Sequence, residues 1–148
     1  MLIIRVMNRV NRSIDLYIFH GLEDVIFSFF EGEKLLKWKN VNKKQIGEKW
    51  VESFEICMKK LGIGLEDIEA IYLNSSFSTW NASRLITIFV KTLTTYRNIN
   101  FYIREESQDK LDPNVALKSF YKDKKNFKSV QEPESIVPLY KKCPNINI

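Results

Sequence analysis

At 148 residues and 17.5 kDa the chain has the length of one domain, enough to bury roughly 70 % of the surface its unfolded form would expose, which argues against a multidomain enzyme. Hydrophobic residues at 45 % and charged residues at 28 % exclude wholesale disorder. The net charge of +5 is spread thinly, +1 over residues 1–40, +2 over 41–103 and +2 over 104–148, so it reads as a solvated surface ahead of a nucleic-acid patch.

Leu2 to Met7 reads as a first strand, too short and wrongly flanked for a signal peptide. Ser13 to Phe19, Asp24 to Phe30 and Lys34 to Lys39 read as an antiparallel meander, with Glu31-Gly32-Glu33 as a turn. From Asn42 the period changes: Ile46, Trp50, Phe54, Cys57, Met58 and Leu61 recur at three- and four-residue steps and predict a helix, with Asn42 as N-cap and Gly62 as its stop. Val51 and Ile56 lie off that stripe, and a helix with one face on a sheet has no use for them unless a second helix or a partner covers them.

Gly64 to Glu69 reads as a connector, Ala70 to Leu73 as a short strand and Asn74 to Ser78 as a polar turn. A second helix is expected from Thr79 or Trp80 to Arg97, and its middle, Leu85 to Val90, is apolar almost all round, the mark of burial on more than one side. Phe101 to Ile103 reads as one more strand. Asp112-Pro113 starts a short helix over Val115 to Tyr121, Lys122 to Ser135 reads as loop, and Ile136 to Tyr140 as a final extended segment. The densest run of basic residues, Lys122, Lys124, Lys125 and Lys128, is broken by Asp123.

The scarcity of histidine and cysteine excludes more chemistry than anything else in the composition. His20 is the only histidine, so no His-based metal cluster can be built from one chain, and Cys57 with Cys143 adds two ligands at no zinc-like spacing. Before Gly21, His20 reads as a solvated turn residue rather than as half of a nucleophile-base pair. Two lone cysteines without a signal peptide point to a reducing, cytoplasmic setting, with Cys57 as a small core residue and no disulfide. No apolar run reaches the length of a membrane span.

The order strand, meander, helix, strand, turn, helix, strand resembles a half-lobe of the actin-like ATPase (ASKHA) superfamily. Gly64 to Leu93, GLEDIEAIYLNSSFSTWNASRLITIFVKTL, resembles the TsaB (YeaZ) family, in which an LSDIDAI-type connector leads to a strand, a GPGSFTGLR turn and a helix continuing IGxATAKGL. Aligned without gaps, Ala70-Ile71 matches the strand entry, Thr79 and Trp80 fall on the Ser-Phe pair, and Arg84 and Lys91 fall on the family's Arg and Lys. Val137 to Pro144 resembles the family's terminal P-x-Y-L-R-x-P pattern. The resemblance departs where the turn glycines become Ser76, Ser78 and Ala82, and where the first hairpin's Asp-Thr-Ser run corresponds to Met7-Asn8-Arg9-Val10.

The resemblance implies an α/β fold, a mixed sheet with two main helices of the actin-like ATPase and ribonuclease H-like kind. Residues 1–104 then form a TsaB-type N-terminal lobe, and 105–148 a reduced second-lobe remnant, with a short helix near 113–122 and a C-terminal segment packing back. It implies a non-catalytic subunit, without cofactor or metal, that dimerises with a TsaD-type protein and supports threonylcarbamoyl transfer to adenosine in tRNA. A TsaE-type ATPase is a further partner it implies, tRNA is met through the complex, and self-association is expected when the chain is alone. The partner surface is expected on the helices 43–61 and 80–97, at Trp50, Val51, Phe54, Arg84, Ile88 and Lys91, with ordinary core packing as the competing reading for Trp50, Phe54, Ile88 and Phe89, and solvation for Arg84 and Lys91. The alternative from another class is a small basic module that binds tRNA or associates with itself, with no TsaD role.

Overall fold

A computed structural model describes residues 12–76, 80–106 and 112–132. Its frame is a six-stranded sheet in the order β3-β2-β1-β4-β5-β6. The strands are β1 (Ile14–His20), β2 (Asp24–Glu31), β3 (Lys34–Asn42), β4 (Ile68–Ser76), β5 (Asn100–Glu106) and β6 (Lys128–Val130). The helices are α1 (Ile46–Leu61), α2 (Trp80–Arg97) and α3 (Pro113–Asp123). β1 runs antiparallel to β2 and parallel to β4, and β4 runs parallel to β5, so each parallel step is bridged by a helix, as parallel pairing requires.

Alternation along the strands sorts the apolar residues to two faces. Leu16, Ile18, Val25, Phe27, Phe29, Ile71 and Leu73 point to the face covered by α1 and α2. Tyr17, Phe19, Ile26, Phe30, Ala70 and Tyr72 point to the opposite face, where Ala116, Leu117 and Phe120 of α3 and Phe127 close over them. All seven residues of β1 are buried, as befits the central strand of a sheet covered on both sides.

The local signals for α1 act as expected. Asn42 Oδ1 accepts from Lys44 N at 2.8 Å, capping a short 3-10 turn that runs into α1. Gly62 ends the helix with φ at +68°, a left-handed conformation in which a side chain would be strained. Asp112 caps α3 by accepting from Asn114 N at 2.9 Å, with Pro113 at the first helical position. Asp67, fully buried, ties the start of the described chain to the α1–β4 connector, its two carboxylate oxygens accepting from Arg12 N and Gly64 N at 2.9 Å each.

Three local expectations change. Asn74 to Ser76 extend β4 rather than forming a turn, because they pair with Arg104 to Glu106 of β5. The stretch read as loop after Tyr121 continues α3 to Asp123, then makes a 3-10 turn over Lys124–Asn126 and the edge strand β6, which three ladder pairs with β5 hold in place. A three-residue strand is too short to show alternation. His20 is not a solvated turn residue: it is the last residue of β1, paired with Val25 and 3 % exposed.

The strand expected at Leu2 to Met7, the segment Met7 to Val10, Ser78, Thr79, the extended segment Ile136 to Tyr140, the terminal motif and Cys143 lie outside the described residues. Within the sheet, the hairpin that follows the central strand turns at Gly21 to Glu23, with Gly21 N donating to Asp24 O at 2.7 Å. His20 therefore stands at the mouth of that hairpin.

Candidate interaction surface on the helix pair

The six residues expected at a partner surface divide by burial. Trp50 and Phe54 are 0 % and 4 % exposed and belong to the core. Trp50 meets Phe27 edge-on, with ring centroids 5.1 Å apart, and Phe89 at 5.5 Å; Phe54 lies 5.0 Å from Phe89. These rings join α1, α2 and the sheet, and Trp50 and Phe54 are spent on that core, Phe54 reaching only the floor of a groove between the two helices. Val51 and Ile88, by contrast, are each 53 % exposed, Arg84 is exposed and Lys91 half-buried.

The off-stripe pattern of α1 thus has a structural answer. Among the described residues, no second helix covers Val51 or Ile56, and both remain exposed on the outer side of α1. Val51, Phe54, Glu55 and Met58 of α1 line a groove of about 320 Å³ with Phe89 and Leu93 of α2. A second cleft of about 550 Å³ lies where the helices begin, between Lys43, Lys44, Gly47 and Glu48 on one side and Asn81, Arg84 and Ile88 on the other.

Charge is ordered along this surface. Glu48, Glu52 and Glu55 recur at i, i+4 and i+7 on the exposed side of α1, next to Val51. Arg84, Ile88 and Lys91 recur at the same spacing on α2. One helix therefore offers a predominantly acidic edge and the other a basic edge, with apolar residues between, an arrangement suited to recognising another helical surface of reciprocal charge.

The other titratable groups are structural in placement. His20 has its Nδ1 buried with no hydrogen-bond partner among the described residues. Burial, reinforced by the nearby Lys43 ammonium, pushes its pKa down to about 3, so the ring is neutral. Burial likewise pushes the Cys57 thiol up, consistent with a small core residue. Among the described residues, no group of three or more His, Cys, Asp or Glu is gathered to hold a metal ion, and no helix is long and apolar enough to cross a membrane.

The residue that sequence reasoning missed is Asp15. Its Oδ2 accepts from Lys124 Nζ at 2.7 Å, although the two lie 109 positions apart. The available signal was a carboxylate inside an apolar strand, which folding tolerates only with a partner.

Solved structures share the fold. The structure of YeaZ from Pseudomonas aeruginosa aligns with a TM-score of 0.55 at 12 % identity, over 64 % of this chain and 44 % of that one. A Pseudomonas aeruginosa protein described as uncharacterized, with similarity to peptidase YEAZ, aligns with a TM-score of 0.56 at 13 % identity over the same shares. The Thermus thermophilus RuvC bound to a Holliday junction substrate aligns over 80 % of this chain with a TM-score of 0.49 and 11 % identity. The chain spans under half the length of the two Pseudomonas structures. No protein-family model matches the chain, and no curated protein matches it. The likeness is one of fold: the chain is a mixed α/β lobe whose six-stranded sheet and helices resemble part of the YeaZ structures.

Proposed function

We propose that the chain is a non-catalytic, TsaB-like scaffold subunit that pairs through α1 and α2 with a TsaD-type protein and supports threonylcarbamoyl transfer to adenosine in tRNA. The observation that carries this reading is the exposed apolar pair Val51 and Ile88 on the two helices that the sheet already satisfies from beneath. Helices packed on a sheet need one apolar stripe, and exposed apolar residues on both helices, beside a groove lined by Val51, Met58, Phe89 and Leu93, support a further contact there.

The Gly64 to Leu93 resemblance supports the choice of partner, since it covers α2 and the strand that leads to it. The same surface is expected to support self-association when the partner is absent, because the acidic and basic edges of two copies related by a two-fold axis complement each other. Contact with tRNA then follows from the complex, and a TsaE-type ATPase would join at a separate surface. Co-expression with the TsaD-type protein of the same organism, followed by size exclusion, tests the pairing: co-elution is expected, and separate elution at micromolar concentrations overturns it.

A second reading draws on the exposed Lys118, Lys122, Lys125 and Lys128 along α3 and the segment after it, as a basic face that meets tRNA directly. Binding that is insensitive to salt would exclude it, since phosphate contacts weaken steeply as salt rises.

A further inference from the structure

Lys124 is held as a ligand would be held. Its ammonium donates to Asp15 Oδ2 at 2.7 Å and lies 5.3 Å from the ring centroid of Tyr72, 5.6 Å from that of Tyr121 and 5.9 Å from that of Phe120. Three aromatic faces within about 6 Å and one carboxylate are the elements from which proteins build sites for alkylammonium groups. The side chains of Lys124 and Asp15 are 26 % and 12 % exposed, which separates this pair from the exposed ion pairs that contribute little. The floor is rigid: Tyr72 stacks on Tyr102 at 4.7 Å, and Phe120 stacks on Tyr17 at 4.3 Å.

What this contact joins is also informative. Asp15 stands on the central strand, whereas Lys124 opens the turn between α3 and β6. α3 has only 11 residues, below the length at which a helix holds itself in water, and β6 contributes three residues at an edge. Both depend on their seat on the sheet. Glu69, at the start of β4, adds negative charge near Asp15 and strengthens the demand for a cation there.

We propose that the second face of the sheet carries an ammonium-binding site, built from Asp15, Tyr72, Phe120 and Tyr121, which the chain fills itself with Lys124, and that this contact latches α3 and β6 onto the sheet. The ligand class is a primary alkylammonium: the N–H donors meet the carboxylate and the charge meets the ring faces. Nothing in this inference depends on the pairing of α1 and α2 with a partner.

Chemical rescue tests it. In the full chain, Lys124→Ala empties the site, and amide hydrogen exchange in α3 and β6 is expected to accelerate about tenfold or more while α1 is unchanged. Added propylammonium chloride is expected to restore that protection, sodium chloride at equal ionic strength is not, and Asp15→Asn in the Lys124→Ala background is expected to abolish the rescue. Lys124→Met, which keeps an apolar stem against the rings, is expected to show the same acceleration and covers the case in which the alanine variant does not fold. Unchanged exchange in both variants, no rescue by the amine, rescue by sodium chloride, or rescue that survives Asp15→Asn would each overturn the proposal.

Discussion

The two faces of the sheet solve the same problem differently. On the face covered by α1 and α2 the core is continuous and aliphatic-aromatic, closed by Trp50, Phe54, Ile86 and Val90, and the helices still carry Val51 and Ile88 on their outer sides. On the opposite face one short helix closes an aromatic cluster that takes in buried polar groups, among them Asp15, Ser28 and Asn74. Ser28 Oγ donates to Tyr17 O at 3.0 Å and Asn74 Nδ2 to Tyr17 Oη at 3.4 Å. The first face is stabilised by area and has apolar surface to spare. The second adds polar contacts within the sheet and one, Asp15 to Lys124, that reaches its cover, which is why that feature was harder to foresee.

Substitutions sharpen this contrast. Trp50→Ala should be the most damaging, lowering stability by about 3–5 kcal/mol in urea denaturation, since it removes a fully buried ring that bridges α1, α2 and the sheet. A loss below about 1 kcal/mol would contradict the placement of that ring in the core.

Acidification probes the end of β1. The folded pKa of His20 is about 3 against an ordinary 6.5, so the unfolded chain binds the extra proton between those values. Its contribution to stability is full above pH 6.5 and declines as pH falls toward 3, by up to about 1.4 kcal/mol per pH unit. Asp15 acts in the opposite sense: burial raises its pKa, so the folded state binds the extra proton and stability falls as pH rises through that carboxylate's window. Replacing the histidine isolates its share. His20→Leu should flatten the decline below pH 6.5, and urea midpoints that track the wild type across the range would refute the assignment.

The smallest effect on folding is expected on the outer side of the helix pair. Val51→Lys and Ile88→Glu, alone or together, should change stability by no more than about 0.5 kcal/mol, because both positions are already in solvent. A larger loss in thermal denaturation would mean that these side chains serve the fold rather than a partner.

Much of the first face was legible in the sequence. Of the stripe at three- and four-residue spacing, Ile46, Trp50, Phe54, Cys57 and Met58 are the buried side of α1 and Leu61 is half-buried at its end, and the two positions off that stripe are exposed. The near-continuous apolar middle of α2 was less decisive: Ile86 and Val90 went to the core, Phe89 to the helix-helix seam and Ile88 to solvent. Periodicity marks a helix as crowded but does not divide its faces among neighbours.

On the second face the covering helix was legible, since Asp112-Pro113 marked the start of α3, but the contacts that close it were not, for physical reasons. Its closing contacts join residues far apart in the chain, as Asp15 and Lys124 do, and no local pattern records them. β6 exists because the edge of β5 was open to it rather than through any preference of Lys128-Ser129-Val130. His20 was misjudged because a glycine after a polar residue reads as a turn, whereas here the turn begins one residue later and the ring stays in the sheet. The candidate surface was legible as a pair of helices, and burial then removed Trp50 and Phe54 from it.

The most direct test of the proposed role is the mass, by light scattering after size exclusion, of a mixture of the chain with the TsaD-type protein of its organism. With the wild-type chain a heterodimer is expected, and with Val51→Lys/Ile88→Glu two separate species. A double variant that is folded and still forms the heterodimer would contradict the assignment of this surface, and a wild-type chain that stays apart from the partner would contradict the role itself.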